Sequence, residues 1–157
     1  MPNSGAGFAD LLVADGVIPL LPAFAKDAAL KALARAAGDR LGTPWLMIHE
    51  RLHIREQLGA TGFGGGAAIP HARLPGLSGC VALVARLPQP IDWQATDGEP
   101  VDVLVLLLSP ESAGADHLKA LARISRTLRD PRTMPALRTA DTAADMMAAL
   151  APVTATV

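Results

Sequence analysis

Val101-Asp102-Val103-Leu104-Val105-Leu106-Leu107-Leu108 is the clearest strand in the sequence. Its Val/Leu run from Val103 onward is continuous rather than alternating, so both faces of this strand should be buried. Downstream, Ser109-Pro110 stops the strand. A helix over Ala115 to Leu128 then carries Leu118, Leu121, Ile124, Ser125 and Leu128 on one side. Pro131 marks a break, a short helix follows through Met134 to Arg138, and Asp141 or Thr142 caps a last helix reaching Leu150. Upstream, Ile91 to Pro100 reads as a polar connection with an Asp97-Gly98 turn, and Gly79 to Leu87 as a buried strand closed by Pro88 and Pro90. Pro75-Gly76 makes a turn, and Ala67 to Ile69 a short strand. Thr43-Pro44 opens a helix from Trp45 to about Leu58. Asp27 to Leu41, with Leu30, Leu33, Ala34, Ala37 and Leu41, is an amphipathic helix, and Val17 to Leu20 a short strand. Helices on either side of buried strands make one α/β domain.

A chain of 157 residues fits one such domain and can bury a substantial core. Half of it is hydrophobic but only 3% is aromatic, so alanine, leucine and valine must fill that core. The formal net charge of −1, with no basic run, argues against a nucleic-acid surface. Cys80 is the sole cysteine; it excludes an internal disulfide and reads as a small buried hydrophobe in a reducing compartment. No basic region precedes the first apolar residues, and the longest apolar run is too short to span a bilayer, so a cytoplasmic protein without membrane insertion is expected.

Chemistry concentrates in Gly59-Ala60-Thr61-Gly62-Phe63-Gly64-Gly65-Gly66-Ala67-Ala68-Ile69-Pro70-His71-Ala72-Arg73. Glycines tolerate backbone conformations that turn N–H groups toward an anion, which makes Gly64, Gly65 and Gly66 a candidate phosphate cradle. Pro70 cannot donate to a continuing ladder, so pairing should weaken there and leave His71 at a strand end, where open α/β sheets place ligands. Imidazole titrates near neutral pH and can act as a nucleophile. The loop is not a dinucleotide fingerprint, because a helix precedes it and a strand follows. No G-K-[ST] is present, which excludes a Walker loop.

Two more residues bear on His71. Arg55 lies on the last turns of the helix feeding the glycine loop, where a surface ion pair with Glu56 or Glu50 is the bland alternative. His117 opens the helix after the buried strand, near a positive dipole end that favours a neutral ring and nearby anions. A competing signal is His49-Glu50-Arg51-Leu52-His53, which matches the H-E-x-x-H zinc pattern on a helix. The metzincin continuation is missing, since Glu56 and Gly59 occupy its places. His49, Glu50, His53, Glu56 and Gln57 form one polar arc opposite Ile48, Leu52, Ile54 and Leu58, better read as a solvated face, and no metal site is expected.

Taken together, Arg55-Glu56, Thr61-Gly62, Gly64, Gly66 and Ala68-Ile69-Pro70-His71, followed by Pro90-Ile91-Asp92-Trp93, Asp97-Gly98, Val101 to Leu108, Pro110 and His117-Leu118-Lys119-Ala120-Leu121, resemble a known family. It is the phosphotransferase-system enzyme IIA of the fructose–mannitol type, including the stand-alone nitrogen-regulatory form, which the chain resembles most. The resemblance runs from about Phe8 to Leu150, leaving residues 1–7 and 151–157 as loose termini. It implies a three-layer α/β domain with a mixed sheet flanked by helices, and no metal or organic cofactor. It also implies that His71 is the histidine phosphorylated on Nε2 by HPr or its nitrogen-branch paralogue, and that Arg55 and His117 are the accessory residues beside it. Two positions depart from the family's habit: Ala60 stands where serine is frequent, and Ala67 where a larger apolar residue is frequent.

The chemistry of these side chains agrees. Phosphoryl transfer relies on positioning and charge stabilisation. A neutral His71 nitrogen attacks in line, Arg55 presents a planar fork of donors, and His117 adds a hydrogen bond. Backbone N–H groups of Gly64 to Gly66, or of the first turn of the His117 helix, complete the cradle, and Phe63, Ile69 and Leu74 supply an apolar rim. The expected function is a nitrogen-branch phosphohistidine carrier and regulator whose targets include sensor kinases or potassium transport systems. The alternative is a sugar-specific IIA component passing phosphate to a IIB domain.

Overall fold

The computed structural model describes residues 7–151. The expected loose termini fall outside them except at Gly7 and Ala151, and Gly7 is not loose: it is buried, and its carbonyl accepts from Arg123 Nη2 at 2.6 Å. After one 3-10 turn (Ala9–Leu11) come β1 (Leu12–Ile18), α1 (Lys26–Leu41), α2 (Trp45–Gln57), β2 (Gly62–Gly64), β3 (Ala67–Ala68) and β4 (His71–Leu74). The chain finishes with β5 (Val81–Ile91), β6 (Val101–Pro110), α3 (Ala115–Arg129), α4 (Thr133–Thr139) and α5 (Ala143–Ala149).

The strands form one mixed sheet in the order β1-β5-β6-β3-β2, with β4 also on β6. β5 runs antiparallel to β6, while β3 and β4 both run parallel to it on its other edge. Period-two alternation along β6 sorts the core into two halves. Leu104, Leu106 and Leu108 face α1 and α2 through Leu30, Leu33, Ile48 and Leu52. Val103, Val105 and Leu107 face α3 to α5 through Ile124, Leu128, Leu137 and Met146. The result is the three-layer α/β domain, helix pair on sheet on helix trio. Each of these fully buried aliphatic side chains contributes about 2 kcal/mol relative to exposure.

Several boundaries differ from the sequence reading. β1 begins at Leu12, because a bulge absorbs Asp15, whose φ is 58°, and the strand resumes pairing at Val17. β5 passes through Pro88 and Pro90 instead of ending there; β1 stops pairing at Ala85 and the β6 register shifts beyond Arg86, so no ladder N–H is demanded at either proline. Thr43 makes no cap hydrogen bond to α2, whose N-cap is Pro44. The α5 cap resolves to Thr142, whose hydroxyl accepts from Asp145 N at 3.1 Å. In α3 the inward stripe is His117, Ala120, Ile124 and Leu128, one position off the expected side, so Leu118 is exposed. The Ile91 to Pro100 connection is not simply polar: it buries Trp93 completely. Cys80 is only half-buried. Among the described residues, no helix is long and apolar enough to cross a membrane.

Candidate functional site

Pro70 interrupts the sheet without ending it. The proline lacks an N–H, but its carbonyl accepts from Leu107 N at 3.0 Å, so the chain stays on β6 and His71 opens β4 opposite Leu107. His71 is therefore at the beginning of a strand and not at the end of a ladder. Alternation along β4 sends Ala72 and Leu74 into the α1/α2 core and leaves His71 and Arg73 half-buried on the other side. The C-terminal turns of α2 pass this edge and deliver Arg55. The first turn of α3 delivers His117, whose ring centroid lies 5.4 Å from that of His71. The three predicted side chains thus meet in one depression of about 320 Å³, lined also by Arg51, Ile54, Leu58 and Arg73.

Hydrogen bonds fix the His71 ring. Its Nδ1 lies 2.7 Å from the Ile69 carbonyl, which can only accept, so Nδ1 carries the proton. Nε2 is left with its lone pair, and Arg55 Nε donates to it at 3.1 Å while Arg55 Nη1 holds the Gly59 carbonyl at 2.9 Å. Burial pushes the His71 pKa below the ordinary value; the Ile69 carbonyl opposes that shift and the Arg55 charge adds to it. His117 is 7% exposed and its Nδ1 is 2.7 Å from the hydroxyl oxygen of fully buried Ser109. Burial first, then electrostatic opposition from Arg73, the His71 ring and Arg55, lowers its pKa from 6.5 to about 4. Both rings are therefore neutral at pH 7. Arg51 staples α2 to the end of the sheet, donating from Nη1 to the Arg73 carbonyl and to Glu111 Oε2, both at 2.9 Å. Three guanidinium groups around two neutral imidazoles make a receptor for an anion.

The glycine loop does not join this depression. Gly66 O accepts from the Asp102 and Val103 amides, whereas His71 sits opposite Leu107. Five residues of strand separate the two places, roughly 15 Å. Gly65 N donates to Asp97 Oδ2 at 3.2 Å, and Arg138 bridges the Gly65 carbonyl to Asp102. The loop is a hairpin turn tied down by its neighbours. The expected rim is also different: Ile69 and Leu74 are core residues, and Phe63 lies under Arg129. Ile54 and Leu58 are the apolar rim, at 54% and 81% exposure.

The polar arc of α2 is less solvated than expected. The Glu56 side chain is 5% exposed; it pairs with Lys26 Nζ at 2.9 Å, accepts from Thr61 N at 3.1 Å and also receives the Thr61 hydroxyl. His49 Nε2 is buried, 3.4 Å from Asp27 Oδ1, and His53 bonds Gln57 at 3.1 Å. Among the described residues no group of three or more His, Cys, Asp or Glu side chains is placed to hold a metal ion, so the H-E-x-x-H pair has no third ligand. Arg55 makes neither of the ion pairs considered for it.

Sequence reasoning missed Arg51, Arg73 and Ser109. Arg73 was accessible through strand alternation from His71, and Arg51 through its i,i+4 relation to Arg55. Nothing in the sequence marks Ser109.

The family described as "Phosphoenolpyruvate-dependent sugar phosphotransferase system, EIIA 2" matches residues 11–152. The chain belongs to this family. A nitrogen regulatory protein of Bradyrhizobium diazoefficiens is 48% identical over 129 residues, covering 82% of this chain and 84% of that protein. The crystal structure of nitrogen regulatory protein IIA-Ntr from Neisseria meningitidis superposes with a TM-score of 0.84 at 27% identity, over 90% of this chain and 97% of that one. The fold is shared further, with the mannitol enzyme IIA of Escherichia coli in its complex with phosphorylated enzyme IIB (TM-score 0.73, 13% identity, 88% and 96% covered). These likenesses side with the nitrogen-regulatory members of this EIIA family over the sugar-specific ones.

Proposed function

We propose that this EIIA protein carries a phosphoryl group on His71 Nε2, taken from an HPr-like histidine phosphocarrier, and signals through the presence or absence of that group. The observation that supports this reading most is the fixed tautomer of His71. The Ile69 carbonyl holds the proton on Nδ1, so the Nε2 lone pair faces the arginine-lined depression. In the transfer step the Nε2–P bond forms as the P–N bond to the donor imidazole breaks, and the donor ring keeps that electron pair. The proton stays on His71 Nδ1, donated to the Ile69 carbonyl throughout. Arg55 turns from the lone pair to the phosphoryl oxygens, Arg73 adds charge, and His117 donates one hydrogen bond.

A depression that is shallow and rimmed by Ile54 and Leu58 suits a donor that is itself a protein, because both histidines must reach one phosphorus. The added charge then alters an exposed interface, which is sufficient to change target binding. Regulatory targets of the sensor-kinase or potassium-transport class fit this reading.

The test is incubation with phosphoenolpyruvate, enzyme I and the carrier, followed by intact-mass analysis. One added phosphoryl group is expected, labile in acid, stable in base and absent from His71→Ala. No added mass on the wild-type protein, or the same mass on His71→Ala, overturns the assignment.

A further inference from the structure

We infer that the buried Ser109 hydroxyl is a positioning group for the phosphoryl site: it donates to His117 Nδ1 and so holds that ring as an Nε2–H donor aimed into the depression. The inference rests on the phosphocarrier reading for its purpose, but not for its geometry. Ser109 sits in β6, fully buried, in register with Arg73 on β4, the strand that carries His71. Its hydroxyl oxygen lies 2.7 Å from His117 Nδ1, and among the described residues this is the one hydrogen bond its side chain makes.

Direction follows from accounting for the protons. A hydroxyl both donates and accepts, whereas a neutral imidazole nitrogen does one or the other. Were Nδ1 the donor, the Ser109 proton would be buried with no acceptor, a penalised arrangement. With Ser109 donating, the hydroxyl proton is used and Nδ1 supplies the lone pair. The ring proton then has to be on Nε2. That nitrogen is not among the buried side-chain atoms lacking a partner, so it opens to the depression it shares with His71.

The consequence is a division of labour between two similar rings. On His71 a carbonyl fixes the proton at Nδ1 and frees Nε2 as nucleophile. On His117 a hydroxyl fixes the lone pair at Nδ1 and makes Nε2 a donor. Two imidazoles 5.4 Å apart thus present opposite polarity to one anion. A phosphoryl group bonded to the first accepts from the second without any proton having to move. Removing the hydroxyl leaves the His117 tautomer free to equilibrate, and the Nδ1–H form would turn a lone pair toward the phosphoryl oxygens.

The experiment is long-range nitrogen–proton NMR on protein labelled with 15N-histidine at pH 7, which reads each tautomer without any transfer reaction. In the wild-type protein the expected pattern is Nδ1 bare and Nε2 protonated for His117, with the opposite for His71. Ser109→Ala should move the His117 nitrogen shifts toward an averaged pair, and Ser109→Thr should restore the wild-type pattern. Phosphoryl transfer to Ser109→Ala should be slower by roughly 10- to 100-fold, as for other groups that orient a functional histidine, with Thr again restoring it. A proton on His117 Nδ1 in the wild-type protein overturns the inference whether or not any variant folds. So does a Ser109→Ala spectrum identical to wild type. Failure of the phosphocarrier reading looks different: no variant, wild type included, would gain mass, while the tautomer pattern would stand.

Discussion

Arg55 Nε donates to His71 Nε2 at 3.1 Å, which means that the proposed nucleophile is masked in the resting protein. The two groups cannot keep this bond once phosphorus is on Nε2. Arg55 has to swing outward, and its fork of donors then reaches the equatorial oxygens. A guanidinium suits that motion because it is anchored at a second point, the Gly59 carbonyl, at 2.9 Å. On the phosphocarrier reading, one side chain would protect the lone pair and later compensate the charge.

Arg55→Ala should therefore slow phosphorylation by roughly 10- to 100-fold, the cost of losing one hydrogen bond to a charged group. Stability should fall by less than about 1 kcal/mol, since the side chain is half-exposed and makes no ion pair among the described residues. Arg55→Lys should recover little, because an ammonium lacks the fork. Rapid-quench transfer from the phosphorylated carrier, alongside urea unfolding, measures both. Transfer at the wild-type rate would remove Arg55 from the mechanism.

Acid should destabilise the fold through His117. Its pKa lies at about 4 in the folded protein against 6.5 ordinarily, because burial and three neighbouring charged or polarisable groups oppose protonation. Between those values the unfolded chain binds the proton and the native state does not. Stability is then fully present above pH 6.5 and is lost as the pH falls toward 4. His71, lowered in the same direction, adds to the trend. From pH 7 to about 4.5 the His117 contribution should be about 2 kcal/mol. Urea unfolding of wild type and His117→Gln at both pH values tests this. Equal losses in the two proteins would exclude His117 as the source.

Glu56 shows where sequence reading reaches its limit. Periodicity along α2 correctly separated Ile48 and Leu52 from a polar side, and His71 stood out by its place after the glycine loop, but only the family resemblance joined Arg55 and His117 to it. Burial of a particular polar residue was not legible, because it depends on what the next segment brings over the helix. Here the chain after Gly59 folds back so that Thr61 caps the Glu56 carboxylate and Lys26 of α1 closes it from the other side. Strand ends were misread for the same reason. Pro88 and Pro90 are compatible with a strand only because β1 has already ended, a fact about a distant partner. The Val101 to Leu108 run was secure, since full burial on both faces is written in its own residues.

That network should be needed for the fold at the site. Glu56→Gln removes the charge opposite Lys26 and should cost about 1–3 kcal/mol, the penalty for leaving a largely buried polar group without its partner. Thr61→Val keeps the shape, loses the hydroxyl, and should cost about 1 kcal/mol. Thermal or urea unfolding gives both numbers. The Thr61 carbonyl accepts from Ile69 N at 3.0 Å, and the Ile69 carbonyl accepts from His71, so a changed His71 Nδ1 resonance is expected as well. Unaltered stability in both variants would mean that the carboxylate is solvated after all.

The glycine loop offers the sharpest contrast between a structural and a chemical role. Gly65 has a φ of 65°, a conformation that an L side chain adopts at a cost of about 1 kcal/mol, yet a Cβ there meets nothing within 4 Å. Gly65→Ala should lower stability by that amount and keep the amide bonded to Asp97. Since the loop lies some five strand residues from His71 along β6, phosphorylation should proceed at the wild-type rate. Gly66→Ala should cost somewhat more, because its φ is 93° and its Cβ displaces the Arg138 guanidinium from Asp102. Unfolding titrations combined with transfer kinetics decide the matter. A Gly65→Ala protein of normal stability but slow transfer would return the loop to the phosphoryl site, and would require the β2–β3 turn to move toward His71 when the carrier docks.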